Sequence, residues 1–135
     1  MTDAINFFQS MFMFKSFSSF APSTKISRAE VELAVSLKNE ARTLAAKAAE
    51  ETRSGRITQE LALNNTDKAK VFAEITVWHH AQAAEKYRKA AARFEEAGKI
   101  QTAKRKAFNL IANKMARRAA KAEAAVIQMN KFLTK

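Results

Sequence analysis

Cysteine is missing from all 135 residues, which excludes disulfides, thiolate nucleophiles and Cys-ligated metals and fits a reducing compartment. Proline occurs once and glycine twice, so only Pro22, Gly55 and Gly98 stand ready to interrupt helix. The two glycines lie too far apart to form a phosphate-cradling loop. No apolar run approaches the ~20 residues that a membrane-spanning helix needs. The start of the chain carries Asp3 and no positive n-region, which argues against a secretory signal. Residues 1–24 hold one Lys, one Asp and no Arg, which argues against mitochondrial targeting. The expected setting is the cell interior, or a virion or other large complex; nothing in the residues narrows it.

Catalytic patterns are equally scarce. There is no H-E-x-x-H, and Glu50-Glu51 and Glu95-Glu96 are adjacent pairs whose members face different ways on a helix. Trp78-His79-His80 is the one cluster with metal-binding chemistry. Adjacent histidines point about 100° apart on a helix and do not share one ion without distortion. His80 is expected in a hydrogen-bonded core position and His79 in solvent. The chain is therefore read as non-enzymatic, with no cofactor, no metal and no small-molecule substrate.

What is present favours helix throughout. Ala, Lys, Glu and Arg dominate after residue 28, and all are strong helix formers. The 47% hydrophobic content argues against a wholly disordered chain. The predicted fold is all-α: an elongated antiparallel three-helix bundle over residues 27–135, preceded by a Phe-rich N-terminal arm over residues 1–26. Ser27-Arg28-Ala29-Glu30 forms a capping box that starts a first helix near Arg28. Leu37, Ala41, Leu44 and Ala48 give it a seam, and Gly55 reads as the residue that ends it, near position 54. Ile57 to Leu63 reads as a separate short turn. Asn65 or Thr66 then caps a second helix over about 66–97. Its seam is Ala73, Thr76, His80, Ala83, Tyr87, Ala90, Phe94 and Ala97, and Gly98 is its stop. A third helix spans about 99–133 along Phe108, Ile111, Met115, Ala119, Ala122, Val126, Met129 and Leu133, with one stutter in the heptads.

Charge is distributed unevenly. Ala97 to Lys135 contains ten Lys or Arg and one acid, Glu123, so +9 of the chain's +11 sits there. Lys106, Lys114, Arg117, Arg118, Lys121, Lys131 and Lys135 fall mostly opposite the apolar seam, and Lys104 and Arg105 widen the stripe. Exposed helix faces are commonly charged, but they mix signs, as the second helix does. A face almost without acids suits nucleic acid or another polyanion, such as an acidic protein surface. The contact expected is salt-sensitive and blind to base sequence, because no base-reading motif accompanies the cations.

The arm is the second signal. Phe7, Phe8, Phe12, Phe14, Phe17 and Phe20 crowd into fourteen residues, and rings left in water at that density invite aggregation. Val71, Ile75 and Trp78 form an apolar strip on the second helix that suits such rings. The arm is expected to dock on other protein subunits, with docking on its own chain as the alternative. A lipid interface is the third reading, weakened by a single lysine, Lys15.

Residues 84–97, with the basic helix that ends Arg117-Arg118-Ala119-Ala120-Lys121-Ala122-Glu123, resemble the last two helices of microtubule-interacting-and-trafficking domains. Tetratricopeptide-type helices share the same spacing. The resemblance covers under half the chain and implies a tight helical hairpin, without partner or binding residues. The sequence reads as a helical subunit of a larger assembly, anchored by its arm, with a basic third helix toward a polyanion. The rivals are a free-standing sequence-nonspecific nucleic-acid-binding protein and a peripheral membrane protein.

Overall fold

The computed structural model describes residues 26–135. Residues 1–25 of the proposed arm, its six phenylalanines among them, lie outside the described residues. Three long helices follow: α1 (Arg28–Asn64), α2 (Ala69–Ile100) and α3 (Arg105–Leu133), with a 3-10 turn at Thr102–Lys104.

The capping box forms as the sequence predicts. The Ser27 N–H donates to Glu30 Oε1 at 2.9 Å, and the Glu30 N–H donates to Ser27 Oγ at 3.1 Å. Two donors without intrahelical partners are thereby satisfied.

Beyond this start, the predicted boundaries shift. Gly55 does not end α1: it is buried in mid-helix, and the segment read as a separate turn is continuous helix to Asn64. Neither glycine has the left-handed conformation of a C-terminal cap. The predicted caps Asn65 and Thr66 are not used; α2 begins at Ala69, after Lys68, with no side-chain cap. Gly98 does not stop α2 either, which runs on to Ile100. The 3-10 turn follows, and α3 starts at Arg105 instead of Lys99.

Cross-helix pairs set the topology of residues 31–135. Glu40 meets Arg93, Glu51 meets Lys86 and Thr58 meets Thr76, so α1 and α2 run antiparallel. Glu123 meets Arg88 and Phe108 meets Phe94, so α3 is antiparallel to α2 and parallel to α1. The fold is an all-α, antiparallel three-helix bundle.

Packing explains why each helix buries the face it does. The buried positions of α1 are Ala34, Ala41, Ala48, Gly55 and Ala62, one small residue in every seven. Leu37 and Leu44, placed in the seam by the sequence, are only partly buried against the core. All eight predicted seam residues of α2 are buried. On α3, Ala112 is buried and Ile111 is exposed, reversing the sequence reading. With Ala112 in place, Phe108, Ala112, Met115, Ala119 and Ala122 step 4, 3, 4, 3, and the expected stutter disappears. A methyl side chain there lets α3 approach a smooth neighbour that Ile111 would hold off.

Aromatic residues close one end of the bundle. Phe94 and Phe108 stack with centroids 6.3 Å apart, a geometry worth about 0.5–1.5 kcal/mol beyond area burial. A Cβ on Gly98 would stand 3.2 Å from Phe108 Cβ. Gly98 therefore serves close approach between α2 and α3.

Candidate polyanion-binding grooves

All nine cations expected on the third helix are exposed. The structure adds what the sequence reading lacked, a second set of cations on α1. Lys38, Arg42, Arg53 and Arg56 lie within an arc of about 60° when α1 is projected at 100° per residue. This arc faces α3, and two grooves form between the two helices.

The first groove has a volume of 390 Å³ and is lined by Lys38, Arg42 and Lys104 above a floor that includes Phe94, Phe108 and Met115. Burial, then the neighbouring Arg42 and Lys104, push the Lys38 ammonium below its ordinary pKa. Like charges crowd here.

The second groove measures 570 Å³ and carries Arg53 and Arg56 from α1, Arg118 and Lys121 from α3, and His80 and Tyr87 from α2. The remaining predicted cations, Arg105, Lys106, Lys114, Arg117, Lys131 and Lys135, line neither groove.

Among the described residues, no carboxylate lines either groove. The acids of α1 and α3 that make cross-helix pairs turn to α2 instead. Glu40 pairs with Arg93 at 3.1 Å. Glu51 accepts from His79 Nδ1 at 2.8 Å and sits 3.4 Å from Lys86 Nζ. Burial pushes the Glu51 carboxyl up, but the hydrogen bonds from His79 and Lys86 outweigh it and hold it below its ordinary range. Glu123, the only acid in the last thirty-nine residues, accepts both Arg88 Nε at 3.1 Å and Arg88 Nη2 at 2.7 Å. That fork withdraws the one carboxylate of the basic segment toward α2. Among the described residues, none of the seven groove cations forms an ion pair.

The histidines depart from expectation in opposite senses. His79 is half-buried, bonded to Glu51 and edge-on to Trp78 at 5.1 Å. His80 is buried at 5% exposure, as expected, but neither ring nitrogen has a hydrogen-bond partner among the described residues. Burial, then His79 and Arg56, push its pKa down, so the ring stays neutral at neutral pH. A buried polar atom left unpaired costs about 1–3 kcal/mol. No group of three His, Cys, Asp or Glu able to hold a metal occurs among the described residues.

The apolar strip of α2 is exposed as predicted: Val71 at 53%, Ile75 at 38% and Trp78 at 55%. The phenylalanines proposed as its counterpart fall outside the described residues. No described helix is long and apolar enough to cross a membrane. What the α1/α3 surface can do chemically is hold anions, with Arg forks and Lys ammonium groups as donors. The chain matches no family model, no curated protein and no solved structure.

Proposed function

We propose that this chain is a non-catalytic helical subunit of a macromolecular assembly, and that its α1/α3 face lies against the phosphate backbone of nucleic acid. The supporting observation is the sorting of charge. Seven cations from α1, α3 and the 3-10 turn between α2 and α3 line grooves that no described carboxylate lines, while Glu40, Glu51 and Glu123 pair toward α2. A solvated surface gains nothing from holding like charges together, so phosphate is the complement this surface fits. The Phe-rich arm supplies the anchoring half of the reading, because six rings in fourteen residues require cover from water.

Retardation of a duplex and of a single strand of arbitrary sequence, at rising salt, tests the reading. Binding should weaken steeply with salt, by roughly 0.9 in log–log slope for each phosphate neutralised on duplex. Reversing Arg53, Arg56, Arg118 and Lys121 to Glu should abolish it, while reversing Lys89 on α2 should leave it nearly intact. Binding indifferent to the fourfold reversal would reject this face.

A further inference from the structure

The larger groove contains more than a basic rim. His80 forms part of its wall, 5% exposed, with both ring nitrogens unpartnered among the described residues. Its ring is pressed on the α1 backbone, since a Cβ on Gly55 would stand 2.9 Å from His80 Cε1. The imidazole is thereby held in one place. A neutral imidazole has one N–H to donate and one nitrogen to accept.

Among the described residues, the groups that line the groove or act on this ring are positive or neutral, while Glu51 of α1 is bonded to the adjacent His79. Arg53 and Arg56 come from α1, His79 and Tyr87 from α2, and Arg118 and Lys121 from α3. No described carboxylate lines the groove to accept from the imidazole. An oxyanion would satisfy its N–H and four of the neighbouring charges together. Backbone phosphate contact needs only exposed cations; a fixed, buried donor beneath them describes a site of defined shape.

We propose that the groove at His80 seats one phosphate group, with the imidazole N–H donating to a phosphate oxygen and Arg53, Arg56, Arg118 and Lys121 neutralising its charge. The inference rests on the nucleic-acid reading for its source of phosphate, a backbone phosphodiester. A free phosphorylated small molecule offers the same chemistry. The bound anion would also draw a proton onto His80, against the burial and positive neighbours that keep it neutral, so binding tightens as the pH falls.

The test is an NMR pH titration of the two histidine rings in the full chain, with and without pyrophosphate, using His79→Gln for assignment. Pyrophosphate should move the His80 resonances and raise their midpoint by about one pH unit. His80→Leu should weaken pyrophosphate roughly tenfold, whereas His80→Gln, which keeps an N–H donor, should retain most of the binding. A short duplex at equal salt should displace the pyrophosphate. Displacement supports the phosphodiester source. If pyrophosphate moves His80 but no nucleic acid is retarded, the seat stands, its ligand is a small phosphorylated molecule, and the nucleic-acid reading falls. If nucleic acid is retarded and neither ligand moves His80, the seat is overturned while the nucleic-acid reading survives. The wild-type titration decides the matter even if His80→Leu does not fold.

Discussion

Position 55 shows how one absent methyl group shapes a helix pair. Glycine in mid-helix costs about 1 kcal/mol against alanine, so Gly55→Ala on an exposed face would stabilise. Here the added Cβ meets the buried His80 ring at 2.9 Å from Cε1 and 3.0 Å from Nε2. We expect a net loss of about 1–2 kcal/mol in urea unfolding, because overpacking outweighs the propensity gain. In a His80→Ala background the same substitution should become stabilising. Equal effects in both backgrounds would show that the ring is not what keeps glycine there. A lone glycine in a helical pattern reads as a terminus from its neighbours alone. Its real meaning lay seven residues apart, in the series Ala34, Ala41, Ala48, Gly55 and Ala62.

Among the elements, legibility followed chemical contrast. The seam of α2 was readable in full because Thr76, His80, Tyr87 and Phe94 stand out from the charged residues between them. On α3, alanines occupy several faces, and the larger Ile111 drew the seam away from Ala112; packing chose the smaller side chain. Boundaries were least legible where the chain used none of its available caps, as at Asn65 and Thr66. The consequence can be measured. Ala48→Leu, at 0% exposure, should cost about 1–3 kcal/mol by overpacking. Ile111→Ala, at a position 38% exposed, should cost clearly less. A greater loss at Ile111 than at Ala48 would restore the sequence-based seam.

At the scale of the whole molecule, three of the seven groove cations, Lys104, Arg118 and Lys121, were visible in the sequence. The excess of cations after Ala97 pointed to α3. The contribution of α1 was hidden, because Lys38, Arg42, Arg53 and Arg56 share their helix with several acids. Only the fold sends Glu40 and Glu51 to one side and these cations to the other. The basic arc was nevertheless present in the helical projection and needed only the parallel pairing of α1 with α3 to acquire meaning. The arm belongs to this scale too. A chain lacking residues 1–26 keeps Ser27 and its capping box; it should remain helical by circular dichroism and lose its assembly in size-exclusion chromatography. Collapse of the helical signal would instead assign the arm to its own core. Attachment of the intact chain to anionic vesicles, lost on Phe12→Ser and Phe14→Ser, would favour the lipid reading.

The stripe of methyl groups along α1 carries a thermal signature. Ordinary domains gain about 12–15 cal/mol/K per residue on unfolding, mostly from hydrocarbon newly wetted. A helix that hides alanine and glycine in place of leucine and isoleucine wets far less, so this bundle's heat-capacity increment should fall below that range. Its free-energy curve is then flatter, and its tolerance of cold greater, than its length alone suggests.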